Sequence, residues 1–313
     1  MPLGHDLSQS VAYDAMYAGE LSFARRQYTR NLEGADIAVV GIPFDLSTAN
    51  RPGARFGPRA IREQSSVSGL FPWGLWPWGF NVFERHNVID YSDIAFFPGY
   101  PHHMLSAVDE HVGRILEAGL SVLSLGGDHM VTYPLLKAHA RRHGPLSLIH
   151  FDAHSDCWDM GEELNHGTML FLALKEGFVE ASRSIQLGIR TPNPDLKGFH
   201  IITADRVLDN GTASTVQEIR SIVGDHPAYL TFDIDFLDPA YSPGTGSPVV
   251  GGPSTHQARQ ILKGLAGLKI VGGDLVEVSP PYDLGGHITA LAGATLAHDI
   301  LYLISLARGS LFP

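Results

Sequence analysis

Short apolar segments alternate with segments of helical period along almost the whole chain. The apolar segments predict strands over 37–43, 121–127, 146–154, 184–190, 199–204, 228–235 and 269–279. The helical patterns lie near 58–66, 104–118, 131–142, 213–223, 254–266 and 289–307. Because strands that are apolar throughout must be covered on both faces, the alternation predicts a three-layer α/β/α fold with a mainly parallel central sheet.

The chain has 313 residues, which is enough for one large α/β domain. Neither a low-complexity linker nor a repeat of fixed period divides it, so we predict a single domain over 1–313 in which 1–35 form an N-terminal extension. The first residues lack the basic and apolar stretches of a secretory signal. The late apolar segment 289–307 contains His298 and Asp299, which favours a buried helix over a membrane span.

The net charge of the chain limits the classes of molecule that it is expected to bind. The formal net charge is −11, and Lys and Arg form no dense block, so we expect neither a nucleic acid nor a membrane surface as partner. A small cationic molecule suits this charge better. The single cysteine, Cys157, excludes an intramolecular disulfide and suits a reducing compartment, so we expect a cytoplasmic protein.

Charged residues follow the apolar segment PLSLI in the stretch HFDAHSDCWD at 150–159. Asp152, His154 and Asp156 are spaced two residues apart, so all three would point to one side if the strand conformation continues. Two carboxylates held so close together need a positive charge between them, and a metal ion supplies it. This spacing favours a metal site.

Two further groups stand at the ends of apolar segments. TFDID places Asp233 and Asp235 two residues apart, and SLGGDH presents Asp128 and His129 after two glycines. Taken alone, Asp128 or His129 would more simply cap a helix. Since ligands of open α/β sheets bind at the carboxyl ends of the strands, the three groups together predict one site.

The charge of this site indicates how many ions it holds. Asp152, Asp156, Asp233 and Asp235 carry about −4 between them, which two divalent cations balance. Oxygen-rich ligation with two imidazoles favours Mn²⁺, while Zn²⁺, Fe²⁺, Co²⁺ and Ni²⁺ remain open. Two such ions can hold a bridging water as hydroxide near neutral pH, so the expected chemistry is hydrolysis.

The ordered motifs resemble those of the arginase/agmatinase (ureohydrolase) family, and most of all its bacterial agmatinase branch. They are GGDH (126–129), DAHSD (152–156) and FDIDFLDP (232–239) followed by SPGTG (242–246), with RPGARFGPRAIRE (51–63), HGT (166–168), QLGIR (186–190) and EVSPPYD (277–283) elsewhere. The resemblance covers nearly the whole chain. It implies an arginase-like α/β/α fold, two Mn²⁺ per subunit, hydrolysis of a guanidino group to urea and an amine, and a homotrimer or homohexamer.

The resemblance also implies roles for individual residues. One metal would be held by His129, Asp152, Asp156 and Asp233, and the other by Asp152, His154, Asp233 and Asp235. Asp152 and Asp233 would bridge the two ions. Asp128 is not a ligand in the family pattern, and we expect it to orient a neighbouring group of the catalytic site.

His166 and Glu277 match two further residues of the family. His166 corresponds to a histidine beside the substrate that passes a proton to the departing amine. Without the motif it would be read as an ordinary loop histidine. Glu277 corresponds to the acid that pairs with the guanidinium, which a carboxylate binds through parallel hydrogen bonds. Alternatively, it holds an internal arginine.

The loop CWDMGEELN at 157–165 is expected to face the far end of the substrate. It carries Asp159, Glu162 and Glu163 but no Lys or Arg, so it would attract an ammonium group and repel a carboxylate. We therefore expect agmatine as the substrate, with Asp159 and Glu163 near its tail, and putrescine and urea as products. The alternative is that these acids simply face solvent.

Other activities remain open from the sequence. A different guanidino substrate, such as 4-guanidinobutyrate, 3-guanidinopropionate, guanidine or arginine, would use the same metal chemistry. A non-catalytic family subunit is disfavoured because all six ligand positions are filled. A metal-dependent deacetylase of related fold would use one metal ion per chain. The segment FPWGLWPWGF at 71–80 is expected at a subunit contact or beside the substrate pocket.

Overall fold

The computed structural model describes residues 18–67 and 77–311. The strands are β1 Ile37–Gly41, β2 Val88–Asp93, β3 Ser121–Leu125, β4 Ser147–Phe151, β5 Ile185–Ile189, β6 His200–Thr203, β7 Ala228–Asp233 and β8 Ile270–Val276. They form a sheet in the order β2-β1-β3-β8-β7-β4-β5-β6, in which every pair of neighbours is parallel. The helices are α1 Gly57–Ser65, α2 Val82–Arg85, α3 Pro101–Glu117, α4 Thr132–His143, α5 Met169–Lys175, α6 Ala204–Val223, α7 Thr255–Gly264 and α8 Ile288–Leu311.

Two apolar cores lie on opposite faces of the sheet. Ile37 and Val39 of β1 belong to the core that α1, α6, α7 and α8 cover. Ala38 and Val40 belong to the core that α3, α4 and α5 cover. Because alternate residues of a strand point to opposite faces, this division is what a sheet covered on both sides requires. The predicted three-layer fold with a parallel sheet is confirmed.

Strand β2 was not predicted, because its sequence VIDYSD carries three polar residues among the apolar ones. The structure satisfies the buried Asp90 with a guanidinium, since Arg62 of α1 donates to its two oxygens at 2.8 and 3.0 Å. Arg62 also donates to Asp93 at 2.5 Å. The ion pair joins α1 to the edge of the sheet and makes a polar strand compatible with burial.

The helical patterns differ from the structure in three places, the first being the four-residue helix α2, which was not predicted. Helix α5 was missed, because its seven residues, MLFLALK, are too short and too uniformly apolar to show a helical period. Helix α6 starts at Ala204, whereas the pattern predicted 213–223. Gly211 interrupts it with a φ of 77°, which explains why only the second part showed a regular pattern.

Helix α8 is long and apolar enough to cross a membrane, judged by length and composition alone. However, 83% of its most apolar window is buried inside the protein, so it is a core helix as predicted. Trp78 stacks on Tyr302 of this helix with ring centroids 5.2 Å apart and donates to Asp299 at 2.7 Å. Residues 71–76 of the tryptophan-rich segment lie outside the described residues.

Part of the predicted N-terminal extension packs on the sheet. Phe23 and Ala24 are fully buried, and the Phe23 N–H donates to the carboxylate of Asp90 at 2.7 Å. The division of the chain into one domain with an extension over 1–35 stays a prediction.

Candidate metal centre and active site

The charged groups predicted from the sequence lie at the carboxyl ends of four strands. His129 follows β3, the Asp152–Asp156 segment follows β4, Asp233 ends β7, and Glu277 follows β8. These strands are adjacent in the sheet, in the order β3-β8-β7-β4. Parallel neighbours end at the same edge, so residues far apart in sequence meet there.

The local backbone differs from the extended conformation expected for 152–156. Strand β4 ends at Phe151, and the Asp152 carboxylate accepts the His154 N–H at 2.5 Å, which turns the chain. Asp156 has a φ of 49°, in the left-handed region. The predicted strand 146–154 is therefore too long, and a turn rather than a continued strand brings the three side chains together.

Three carboxylates surround one nitrogen of His129. Its Nδ1 lies 3.0 Å from an oxygen of Asp152 and 3.0 Å from an oxygen of Asp156. The third carboxylate, that of Asp233, lies 3.3 Å from the same nitrogen. All four side chains are nearly inaccessible to solvent, so they form a buried group around a single point.

A second group adjoins the first through Asp152. His154 Nδ1 lies 3.0 Å from Asp235 and 3.3 Å from Oδ1 of Asp152, whose Oδ2 faces His129. One carboxylate is thus shared between two histidine-centred groups. The structure brings together all six residues predicted as metal ligands.

The electrostatics of this cluster require positive charge. Burial raises the pKa of Asp233 well above its usual range, and the neighbouring Asp235 and Asp152 raise it further. Burial and Asp152 raise the pKa of Asp235 to about 6. Conversely, the surrounding carboxylates overcome burial and raise the pKa of His154 to about 12. Protons or cations must neutralise such a group, and oxygen and imidazole donors in two adjoining sets suit divalent ions.

His150 belongs to the same cluster and was not singled out from the sequence. Its Nε2 lies 2.8 Å from Oδ2 of Asp152, and the side chain is fully buried. Together with His129, Asp152 and Asp156 it forms a group whose ligand atoms lie within 4.8 Å of one another. The signal was available, because His150 and Asp152 are two residues apart in HFDAH, but the motif gave His150 no role.

Glu277 and His166 lie beside the metal cluster. Oε1 of Glu277 accepts the His129 N–H at 2.9 Å and lies 3.1 Å from Nδ1 of His166. Glu277 has a φ of 62°, so its backbone is strained at the end of β8. The Glu277 carboxylate outweighs burial and raises the pKa of His166 to about 9. The Ala49 N–H, which donates to Nε2 of His166 at 3.0 Å, favours the neutral ring and opposes that shift.

Asp128 is fully buried beneath this pair. Its carboxylate accepts the N–H of Ser47 at 2.9 Å and that of Met130 at 3.1 Å. Burial and the nearby Glu277 raise its pKa to about 7. These contacts tie the loop that carries Ser47 and Ala49 to the turn that presents His129, which suits the orienting role expected for Asp128.

The acidic residues of the loop 157–165 differ in whether a lysine neutralises them. Asp159 forms an ion pair with Lys197 at 3.2 Å, and Lys197 also binds Asp195 at 2.8 Å. Glu162 pairs with Lys175, and Glu163 is exposed. Lysines from outside the loop therefore offset part of the negative charge on which the choice of agmatine rested. The tail-binding roles of Asp159 and Glu163 stay predictions.

Comparison with known proteins assigns the family. A sequence model of the arginase family matches residues 35–302. The chain belongs to the arginase family. A curated relative from Chromobacterium violaceum, named agmatinase, is 51% identical over 292 residues, which cover 92% of this chain and 89% of the relative. The family expected from the motifs is confirmed.

Solved structures agree with this family. A structure described as a hypothetical agmatinase from Burkholderia thailandensis has a TM-score of 0.91 and 49% identity, and covers 94% of both chains. The proclavaminate amidino hydrolase of Streptomyces clavuligerus has a TM-score of 0.88 and 36% identity, covering 94% of this chain and 99% of its own. The arginase-like arrangement of the sheet and helices is therefore shared with enzymes of this family.

Proposed function

We propose that this protein hydrolyses agmatine to putrescine and urea, a step of polyamine metabolism. The observation that carries the proposal is the buried His/Asp cluster that shares Asp152, with Glu277 beside it. The relative named agmatinase, 51% identical over most of both chains, supports the choice of substrate.

The cluster would hold two divalent ions, with Mn²⁺ first and Ni²⁺, Co²⁺ or other divalent ions as alternatives. The first set is His129, Asp152, Asp156 and Asp233, and the second is Asp152, His154, Asp233 and Asp235. When bound, the ions would supply positive charge and an activated water for attack on the guanidinium carbon. Counting two metal ions per chain supports this reading, whereas one per chain favours the deacetylase alternative.

Glu277 would fix the guanidinium by paired, charge-assisted hydrogen bonds. Its Oε2 faces Gly246 of the SPGTG motif, where an added Cβ would stand 3.2 Å from that oxygen. A glycine at this position therefore leaves room beside the carboxylate for a planar cation. The Glu277 side chain reaches the cluster, where its Oε1 accepts the His129 N–H at 2.9 Å, and its backbone lies in the left-handed region.

His166 would pass a proton to the departing amine. Its Nδ1 faces Glu277, so a group held by that carboxylate lies next to the ring. The Ala49 N–H fixes the orientation of the ring from the other side through Nε2. The ring can give a proton from Nδ1 to the amine in its doubly protonated form, in which Nε2 carries its own proton and no longer accepts the Ala49 N–H.

A specific observation favours a second candidate, the hydrolysis of a guanidino compound with an acidic tail. Lys197 lies beside the loop that would face the tail, where it binds Asp159. A lysine at this place would tolerate a carboxylate, and the amidino hydrolase from Streptomyces clavuligerus shares the fold at 36% identity. Among the loop acids, Glu163 is then the better candidate for binding an ammonium group.

The test is to load the protein with Mn²⁺, supply agmatine, and measure urea and putrescine together. Equal amounts of the two products, with none from protein treated with a chelator, support the proposal. Metal-loaded protein that releases no urea from agmatine would contradict it. The homotrimer or homohexamer and the cytoplasmic location stay predictions, and light scattering during size-exclusion chromatography tests the first of them.

A further inference from the structure

A buried carboxylate near the metal cluster, Asp274, is not among the predicted metal ligands. Asp274, on the central strand β8, is fully buried. Its Oδ2 accepts the hydroxyl of Tyr229 and that of Thr132, each at 2.9 Å, and its Oδ1 accepts the hydroxyl of Thr231 at 2.6 Å. Burial raises the pKa of Asp274, and the three hydroxyl donors oppose that shift.

The hydrogen bonds continue from Asp274 to a predicted metal ligand. Thr231 has one hydroxyl proton, which it gives to Asp274, so its oxygen must accept from another neighbour. The Thr132 hydroxyl, 3.4 Å away, gives its own proton to Asp274, which leaves one closer neighbour. That neighbour is Nε2 of His129, at 2.9 Å. His129 therefore carries a proton on Nε2, which leaves Nδ1, at the point where Asp152 and Asp156 converge, as the nitrogen that a metal ion can bind in exchange for a proton.

We propose that Asp274, acting through Thr231, holds His129 in the tautomer and orientation that offer Nδ1 to a metal ion. The proposal rests on the metal centre of the proposed function. It makes Asp274 and Thr231 positioning residues, since neither touches the metal or the substrate. Partners of this kind also strengthen the imidazole as a ligand, and their loss typically weakens metal binding by about 10- to 100-fold.

The test is a set of variants at Thr231 and Tyr229. Thr231→Val keeps the shape of the side chain but removes the hydroxyl, whereas Thr231→Ser keeps the hydroxyl. Tyr229→Phe removes a different hydroxyl from the same Asp274 and leaves the contact with His129 in place. Each variant is titrated with Mn²⁺ by calorimetry, and bound Mn²⁺ per chain is counted after gel filtration.

We expect Thr231→Val to weaken the binding of one of the two Mn²⁺ ions by about 10- to 100-fold. Thr231→Ser and Tyr229→Phe should bind within about threefold of the unaltered protein. Unchanged Mn²⁺ binding in Thr231→Val would overturn the proposal. Equal losses in Thr231→Val and Tyr229→Phe would also overturn it, because they would show a general need for hydroxyl donors at Asp274.

The Mn²⁺ titrations test the role of Thr231 independently of whether agmatine is the substrate. If the unaltered protein binds two Mn²⁺ ions but releases no urea from agmatine, the substrate assignment fails while the titrations still decide the role of Thr231. Circular dichroism and thermal unfolding of the metal-free variants establish that each is folded. If Thr231→Val does not fold, Thr231→Ala and Thr231→Cys provide the same comparison.

Discussion

At the scale of single residues, Glu277 joins the His/Asp cluster to the predicted proton donor, His166. Its Oε1 accepts the His129 N–H and contacts His166, so one carboxylate touches both a predicted ligand and the predicted proton donor. It follows β8 directly and has a strained backbone. A residue with this environment has more effect on the reaction than its contribution to packing would indicate.

We predict that Glu277→Gln lowers kcat/KM for agmatine by about a hundredfold or more, because a neutral amide cannot form the charge-assisted pair with a guanidinium. Steady-state urea release measures the effect, and the Mn²⁺ content should stay at the level of the unaltered protein. Glu117→Gln is the matched control, since the same chemical change at the exposed end of α3, outside the predicted site, should cost far less. Activity of Glu277→Gln within threefold of the unaltered protein would refute the role.

The sequence motifs identified most residues of the predicted site but not all of the contacts between them. Asp152, His154 and Asp156 were recognised from their spacing, yet the structure joins them by a turn that has Asp156 at positive φ. Asp274 was missed because it lies inside an apolar strand segment and its partners are distant in sequence. His150 was missed although its partner Asp152 is only two residues away. Spacing within one segment shows what that segment can offer, whereas the contact between Thr231 and His129 depends on strands that meet only in the fold.

At the scale of elements, the ion pair of Arg62 with Asp90 holds α1 against the edge strand β2. Both side chains are buried, and Asp90 also accepts the N–H groups of Phe23 and Ser92. Removing one partner of a buried pair leaves an uncompensated charge. This contact explains why the polar sequence of β2 could not be recognised as a strand without knowledge of α1.

We predict that Arg62→Leu lowers the free energy of unfolding by about 3–5 kcal/mol, because the Asp90 carboxylate stays buried without its cation. Urea unfolding of the Mn²⁺-loaded protein measures it. Arg59→Leu, at an exposed position of the same helix, should change the stability by about 0.5 kcal/mol or less. Similar losses in the two variants would show that the ion pair does not join these elements.

The parallel sheet and its two helical layers could be predicted because burial on both faces produces apolar strands wherever the sheet is central. The prediction failed at β2, where Arg62 permits polar residues, and at α5, where seven apolar residues show no period. It also failed where Gly211 splits the pattern of α6. Each of these failures has a local cause: a buried ion pair at β2, a short apolar helix at α5, and a glycine within α6.

At the scale of the whole molecule, metal binding is coupled to protons. The carboxylates of the cluster hold the pKa of His154 at about 12 and that of His129 well above its usual range, so both rings are protonated at neutral pH in the metal-free protein. An imidazole must lose that proton before it can bind a metal. The metal and the protons therefore compete for the same positions at the carboxyl ends of the strands.

We predict that Mn²⁺ binding at pH 7.5 releases at least about two protons per chain, one from each ring, and that Mn²⁺ affinity rises with pH. The affinity should fall further as the pH drops through about 6, where Asp235 takes up a proton. Calorimetry in buffers of different ionisation enthalpy counts the protons released. A binding heat that does not depend on the buffer, or an affinity that falls as the pH rises, would contradict the competition.

The choice among guanidino substrates is the central claim. The measurement is urea release by the Mn²⁺-loaded protein from agmatine, arginine, 4-guanidinobutyrate, 3-guanidinopropionate and guanidine under one set of conditions. We predict that kcat/KM for agmatine exceeds that for each of the others by at least about tenfold, since Glu163, in its predicted role, would attract an ammonium tail and repel a carboxylate. A higher kcat/KM for any carboxylated substrate would contradict the account.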